Sequence, residues 1–246
     1  MSKHVLFFGA HPDDIESFAG GTALRYAHMG WKVFFCVATN GNVGSATLPK
    51  DEIAAIRYKE AQNAASLANA ELIWLNFDDE FLIDSVETRH AFINAMRIAD
   101  PDVVIAPPRK DYNPDHSITG FIVDECLHMA GVPNIKTEAP PTTKPIPYLY
   151  TMDVPAGVGF EPELYVDITA VFEKKVALVA CHESQNAWMK ELFNYEMDAF
   201  LEIPARYRGL QAGVPMAEGF KPSYRWGRNF IRHYLPDCLG VSPLQG

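Results

Sequence analysis

Cysteine is scarce in this sequence and is never paired at a metal-binding spacing. The chain has four cysteines, none in a Cys-x-x-Cys pair: Cys36, Cys126, Cys181 and Cys238. Structural zinc sites usually cluster cysteines and small secreted domains depend on disulfides, so neither class is predicted. Cys36 lies in an apolar stretch, where a free cysteine packs as a small hydrophobic side chain. We therefore expect a reducing compartment and a cytoplasmic location.

Positive charge and long apolar runs are also lacking. The chain has 21 Lys and Arg against 31 Asp and Glu, a formal net charge of −10. A nucleic-acid-binding surface is expected to be basic, so we predict no nucleic-acid partner. The longest apolar runs have the length of strands, far below the ~20 residues of a membrane helix. We therefore predict no membrane partner.

No internal repeat or low-complexity segment divides the chain. Its 246 residues are 48% hydrophobic and 21% charged, which is ordinary for a globular protein. This length suits a single domain over residues 1–246, although two domains would also fit. Residues 201–246 show little periodicity, and we expect them to wrap the domain or to contact another subunit.

Apolar segments alternate with amphipathic ones along most of the chain. We predict strands at 4–9, 31–38, 71–77 and 102–106, and helices at 15–29, 51–68, 86–99, 117–130 and 170–200. This alternation predicts an α/β fold with a Rossmann-like, doubly wound and mostly parallel sheet of order 3-2-1-4-5. Strand-like segments follow at 148–154 and 164–168, the second expected at an edge. The proline-rich stretch 131–147 is predicted to be a surface loop and a candidate lid.

The first strand ends without the glycine-rich loop of a dinucleotide-binding protein. Ala10-His11-Pro12-Asp13-Asp14 stands there instead, and Tyr112-Asn113-Pro114-Asp115-His116 follows the fourth strand. Strands 1 and 4 flank the switch point of such a sheet, so His11, Asp14 and His116 can converge. Imidazole and carboxylate ligands are typical of a borderline or hard metal ion. The first motif alone is weaker, because Asp13 or Asp14 could simply cap the next helix.

Together these two motifs resemble those of the PIG-L/LmbE family of zinc-dependent N-deacetylases. That family has Ala-His-Pro-Asp-Asp after strand 1 and His-Pro-Asp-His after strand 4. The similarity continues through Thr39-Asn40-Gly41, Arg57-x-x-Glu60-Ala61, Asp78 and the stretch from Lys175 to Ser184-Gln185. It spans roughly residues 4 to 220, nearly the whole chain.

The resemblance implies one Zn²⁺ per chain, held by His11, Asp14 and His116, although these ligands also suit other divalent ions. Three protein ligands plus a water is the pattern of catalytic zinc. Asp13 would then act as general base and later protonate the leaving amine. Tyr112 or Asn113 would help to stabilise the oxyanion. The implied reaction removes an acetyl group from a GlcNAc-like amino sugar, and the implied assembly is a homo-oligomer.

Candidate substrate-binding residues are Arg57, Arg109, Asn42 and His182. Arg109 could instead be, with Lys110, one of two solvent-exposed basic residues of a loop. For His182 a packing role is equally open. Asp115 is predicted to be a carboxylate that fixes the tautomer of a ligating histidine, or a helix cap.

Two positions depart from the family pattern. Asn113 stands where the family usually has a histidine that is thought to assist the oxyanion. Asn42 stands where the family usually has a glutamate near the substrate. An asparagine can donate a hydrogen bond but carries neither a proton to transfer nor a charge. The departures leave two alternatives to a GlcNAc-type deacetylase: an amidohydrolase for another acyl group or amine, and a weakened module that binds metal or sugar. Asp13 argues against the module, since binding alone needs no base.

Overall fold

The computed structural model describes residues 3–193, 197–224 and 234–240. The described residues form one sheet of eight strands in the order β3-β2-β1-β4-β5-β7-β6-β8. The strands are β1 His4–Gly9, β2 Lys32–Thr39, β3 Ala70–Phe77, β4 Val103–Ala106, β5 Tyr148–Met152, β6 Leu164–Asp167, β7 Ala217–Pro222 and β8 Cys238–Gly240. The helices are α1 Asp14–His28, α2 Lys50–Leu67, α3 Val86–Ala99, α4 Pro114–Cys126, α5 Phe172–Ala180, α6 Glu183–Phe193 and α7 Met197–Ala212.

The first five strands are parallel and follow the predicted order 3-2-1-4-5. The α/β fold with a mostly parallel sheet is therefore confirmed. Beyond β5 the sheet turns antiparallel, because β7 pairs with both β5 and β6, and β6 pairs with β8. Segment 164–168 is consequently not an edge strand, as it lies between β7 and β8.

Strand β1 lies in the middle of the sheet and is buried on both faces. Val5 and Phe7 belong to one core, together with Ile15 of α1. Leu6 and Phe8 belong to the other core, together with residues of α3 and α4. A strand whose two faces both pack in a hydrophobic core needs apolar side chains at successive positions. This explains why residues 4–9 show no alternation of apolar and polar side chains.

The predicted helix at 170–200 is wrong, since this stretch contains α5, a turn at residues 181–182, α6 and the start of α7. The break lies next to a contact with another helix. Ser184 donates from its N–H and its hydroxyl to the carboxylate of Glu60 on α2, at 2.8 and 2.6 Å. This bond replaces the helical partner that Ser184 would otherwise need.

Residues 201–246 were expected to wrap the domain or to contact another subunit, and their described part forms regular elements despite its weak periodicity. It supplies most of α7 and two strands of the sheet, β7 and β8. Residues 225–233 and 241–246 of that predicted tail lie outside the described residues.

The proline-rich stretch 131–147 is a surface segment, but the lid prediction is wrong. Arg97, in the last turn of α3, donates to the carbonyl oxygens of Ala130, Val132 and Ile135 at 2.8–3.0 Å. Lys144 pairs with Asp102 at 2.9 Å, immediately before β4. These contacts hold the stretch at the amino end of the parallel strands, opposite the edge that carries His11.

No helix in the described ranges has the length and apolarity needed to cross a bilayer.

Candidate metal and catalytic site

The turn after β1 fixes Asp14 before any ligand is considered. One oxygen of its carboxylate accepts the N–H groups of Ala10 and His11, both at 2.8 Å. Asp14 is also the first residue of α1, where the helix dipole favours a negative charge. Burial raises the pKa of Asp14, but His116 and His11 outweigh it and hold that pKa well below its usual range. The carboxylate is therefore ionised and held rigidly.

The start of α4 brings His116 to the same crevice. Asn113 caps this helix, since its side-chain oxygen accepts the N–H groups of Asp115 at 2.7 Å and His116 at 3.3 Å. Pro114 occupies the first helical position, where its missing N–H is not needed. Because β1 and β4 are adjacent, this cap places the His116 ring beside His11, with ring centroids 5.0 Å apart.

The donor atoms of His11, Asp14 and His116 form a compact triangle. His11 Nδ1 lies 3.1 Å from His116 Nε2, His116 Nε2 lies 3.2 Å from Asp14 Oδ1, and His11 Nδ1 lies 3.6 Å from Asp14 Oδ2. Two ligands at 2.0–2.1 Å from one tetrahedral ion are separated by roughly 3.3–3.4 Å. The three separations lie close to this value, so His11, Asp14 and His116 would be able to hold one divalent ion.

The outer nitrogens of both histidines face carboxylates, of which the sequence pattern indicates only Asp115. His11 Nε2 lies 3.0 Å from Asp79 Oδ1 and 3.5 Å from Asp115 Oδ2. His116 Nδ1 lies 3.3 Å from Asp111 Oδ1. A metal-binding histidine commonly presents its other nitrogen to such a carboxylate, which fixes the tautomer. The carboxylate of Asp115 thus serves His11 and not its neighbour His116.

These carboxylates also change how the two rings titrate. Burial lowers the pKa of His116, but Asp14 and Asp111 outweigh it and raise that pKa to about 10. Burial also lowers the pKa of His11. The carboxylates of Asp115, Asp14 and Asp79 outweigh it and raise that pKa well above its usual value. Several carboxylates around two imidazoles make a pocket of negative potential, which favours a bound cation.

Asp13 sits at the turn in a backbone conformation that side chains rarely adopt. Its φ is 116° and its ψ is −20°, and such strain concentrates at functional sites. Its carboxylate lies 3.7 Å from Arg57 Nη2 and is 23% exposed. Burial, with help from Asp14, raises the pKa of Asp13 to about 6, against the opposing charge of Arg57. Asp13 is thus a partly accessible carboxylate whose pKa lies near neutrality.

Arg57 is buried and braces the two loops that flank Asp13. It donates to the carbonyl oxygen of Pro12 at 2.8 Å and to that of Gly41 at 3.3 Å. Gly41 has φ +67°, and a Cβ there would lie only 2.4 Å from the Arg57 guanidinium. A side chain there would displace the guanidinium from its carbonyl partners, and the positive φ also favours glycine.

Asn42 and His182 are likewise engaged by protein groups. The amide of Asn42 donates to Asp78 at 3.0 Å and accepts the N–H of Asp79 at 3.3 Å. His182 is fully buried, with Nε2 3.3 Å from Glu16 Oε1. The predicted roles of Arg57, Asn42 and His182 toward substrate stay predictions.

Arg109 is not brought to this site, whereas Tyr112 borders it. The guanidinium of Arg109 pairs with Asp124 at 3.0 Å and Glu125 at 3.1 Å. Asp124 lies about eight residues beyond His116 on α4, or roughly 12 Å along the helix axis. We therefore remove Arg109 from the candidate substrate residues. The Tyr112 ring is 78% exposed and meets the His116 ring edge-on, with centroids 5.7 Å apart.

Comparison with known proteins agrees with this geometry. The family model described as "PIG-L: GlcNAc-PI de-N-acetylase" matches residues 6–127. Diacetylchitobiose deacetylase of Thermococcus kodakarensis is 30% identical over 234 residues, which cover 89% of this chain and 82% of that protein. This chain belongs to the PIG-L family. The predicted family resemblance is thereby confirmed.

Two further relatives of this PIG-L protein differ in their reactions. The N,N'-diacetylchitobiose deacetylase structure from Pyrococcus horikoshii matches with a TM-score of 0.79 and 29% identity, covering 90% of this chain and 84% of that one. The 4-oxalmesaconate hydratase of Pseudomonas putida is 26% identical over 218 residues, covering 85% of this chain and 81% of that protein. Family membership alone therefore does not choose between a deacetylase and a hydratase reaction.

Proposed function

We propose that this protein is a metal-dependent hydrolase that removes the acetyl group from a GlcNAc-like amino sugar, producing acetate and a free amine. The observation that carries the proposal is Asp13, a raised-pKa carboxylate directly beside a triangle of three metal-type ligands. Relatives described as diacetylchitobiose deacetylase and as probable N-acetyl-alpha-D-glucosaminyl L-malate deacetylase support the substrate class.

His11, Asp14 and His116 would hold one Zn²⁺ per chain, and their mixed nitrogen and oxygen donors also suit other divalent ions. When bound, such an ion polarises the amide carbonyl and lowers the pKa of a water molecule. Asp79, Asp115 and Asp111 keep the two imidazoles oriented for it.

Asp13 supplies the proton transfers. Its carboxylate accepts a proton from the attacking water and then passes it to the nitrogen of the departing amine. Arg57 restrains the turn that carries Asp13 by holding the carbonyl oxygen of Pro12. A pKa near 6 suits both halves of this cycle, because the group can accept and release a proton near neutrality.

The developing negative charge on the carbonyl oxygen also needs a donor from the protein. The Tyr112 ring lies at the exposed border of the crevice and is free of the capping contacts that occupy Asn113. One amide hydrogen of Asn113 is directed to Glu80, at 3.1 Å, and its oxygen caps α4. We therefore favour Tyr112 over Asn113 as the helper of the oxyanion.

Acetate release from metal-loaded protein tests the proposal. N-acetylglucosamine, N,N'-diacetylchitobiose and N-acetylglucosaminyl malate form the panel, and Asp13→Asn is the matched control. This variant should keep one equivalent of metal while turnover falls about 100-fold or more, since an amide accepts no proton at neutral pH. Acetate release from none of the three, or near-normal release by the variant, would contradict the assignment. Hydration of an unsaturated carboxylic acid in place of acetate release would favour the hydratase reaction.

We further propose a homo-oligomer in a reducing, cytoplasmic setting. The large apolar side chains of Phe81, Ile83 and Val86 are more than 60% exposed in neighbouring positions, which is typical of surfaces that meet another protein. All four cysteines are free thiols. Sedimentation equilibrium would show whether the mass in solution is a multiple of the 27.4 kDa chain.

A further inference from the structure

The acidic segment Asp78-Asp79-Glu80, directly after β3, is held by two asparagines from different loops. Asn42 bonds Asp78 and the N–H of Asp79, as described above. Asn113 donates its amide to Glu80 Oε1 at 3.1 Å. The N–H of Glu80 is also bound, to Asp115 Oδ2 at 2.8 Å. The segment therefore has a fixed conformation at the rim of the metal-type triangle.

Glu80 is the unusual member of this segment. Its φ is +65°, in the left-handed region where a residue other than glycine is strained. Asp79 is buried and occupied with His11, whereas Glu80 is exposed. A carboxylate oxygen of Glu80 nevertheless lies within 4.8 Å of a ring nitrogen of His11. A strained backbone thus holds an exposed carboxylate beside the centre where the reaction is proposed to occur.

An ionised carboxylate accepts hydrogen bonds and donates none. Oε1 of Glu80 accepts the Asn113 amide, so hydroxyl groups would be accepted by Oε2 and by the second lone pair of Oε1. Together with Asp13, Asp14 and Asp79, this carboxylate repels anions. The recognised group must accordingly be a neutral or cationic donor. Among acetamides, a sugar ring with free hydroxyls has this chemistry.

Resting on the proposed function, we propose that Glu80 is a specificity-determining residue that binds the hydroxyl groups of the sugar. Asn113 is then a positioning residue, because its amide fixes the Glu80 carboxylate while its oxygen fixes His116. This assignment gives Asn113 a task that does not require a proton or a charge.

Glu80→Gln tests the assignment, because it removes the charge and retains an acceptor for Asn113. For N-acetylglucosamine we expect KM to rise about tenfold, the usual scale for losing a charge-assisted hydrogen bond, with kcat changed less than about twofold. For N-acetylcyclohexylamine, which has the ring and the amide without hydroxyls, kcat/KM should not change. Metal content should also stay at that of the parent protein.

Asp78→Asn is the matched control. It alters an exposed acid two positions earlier, whose carboxylate is directed to Asn42, and it should leave KM for both compounds unchanged. Glu80→Gly provides a second variant, since glycine adopts φ +65° without strain and folding is then not in question. It should raise KM for N-acetylglucosamine at least as much as Glu80→Gln.

An unchanged KM in both Glu80 variants, an equal loss for both compounds, or a loss of bound metal would overturn the assignment. Calorimetric titration of N-acetylglucosamine into parent and Glu80→Gln proteins separates it from the proposed function. If the parent protein releases no acetate, the deacetylase proposal fails. A tenfold weaker Kd in the variant would still support sugar binding by Glu80, and equal Kd values would reject it.

Discussion

Arg57 acts on Asp13 through its charge as well as through the loops it braces. The guanidinium lowers the pKa of Asp13, in opposition to burial and to Asp14. A general base works only when ionised, so activity should fall as the pH drops below the pKa of Asp13. A bound cation would lower the pKa of Asp13 further. The acidic limb of the pH profile of the metal-loaded enzyme should therefore lie at or below about pH 6.

Arg57→Met should therefore move the acidic limb of kcat/KM to higher pH, by roughly one unit. Arg57→Lys keeps the positive charge and should move the limb much less, although it cannot reproduce both carbonyl contacts. A pH profile of kcat/KM for the three proteins, each checked for one equivalent of metal, measures this. An acidic limb in the same place for Arg57→Met would mean that Arg57 serves the loops only.

Asp79 is the carboxylate closest to the outer nitrogen of His11. Replacing it by asparagine keeps its size but removes the charge that supports the imidazole as a ligand. We expect the metal affinity of Asp79→Asn to fall by about 10- to 100-fold, the usual effect of such a replacement. Competition with a chelator of known affinity gives the value. Asp78→Asn, with the neighbouring carboxylate changed, should bind metal like the parent protein, and equal affinities in all three would exclude this role for Asp79.

At the scale of elements, α4 depends on Asn113 for its first turn. The side-chain oxygen accepts two of the N–H groups that a helix leaves unpaired at its start. Asn113→Ala should lower the free energy of unfolding by about 1 kcal/mol, and Asn113→Ser, which can still cap, should recover most of it. Urea denaturation measures both. Equal stability of the alanine and serine variants would show that the cap contributes little.

How well each element could be predicted depended on whether its cause was local. Strands β1, β2 and β4 are largely continuous apolar runs, and β3 has an apolar centre at residues 72–75. Their places in the sheet follow from the alternation with helices. Helix α4 begins at Pro114, three residues before the predicted start at 117, because Asn113 and Pro114 cap it ahead of the apolar periodicity. Strand β7 is neither alternating nor strongly apolar. It is a strand because β5 and β6 pair with it, which no local pattern reveals.

The same distinction holds for the candidate site. His11, Asp14 and His116 lie at the ends of predictable strands, so topology alone places them together. Asp79 and Asp111 are acids in loops and look like ordinary solvated residues until the fold brings them to the histidines. Arg109 failed as a substrate residue for the converse reason, since the carboxylates that neutralise it lie on the far turns of α4.

At the scale of the molecule, a buried ion pair connects the antiparallel half of the sheet to α1. Glu218 of β7 accepts the N–H groups of Gly21 and Thr22, both at 2.8 Å, and the ammonium group of Lys175 at 2.7 Å. Removing the lysine would leave a buried carboxylate without its counter-charge, which is strongly destabilising. This pair helps to fix α1, and with it Asp14, relative to the whole sheet.

A bound metal would join the two halves of the crevice, because His11 and Asp14 belong to the β1–α1 turn and His116 to α4. A ligand that binds only the folded state stabilises it by RT ln(1 + [L]/Kd), or about 2.7 kcal/mol when the free metal is 100 times Kd. For a chain of this size that gain corresponds to a rise in Tm on the order of 5–10 °C. Removing the metal with a chelator should therefore lower Tm by that amount, and returning Zn²⁺ should restore it in a concentration-dependent way.

His116→Ala removes one of three ligands, so its Tm should be insensitive to both treatments. Scanning calorimetry of the two proteins with and without chelator measures the effect. A metal-dependent Tm that is the same in both would place the ion elsewhere in the chain.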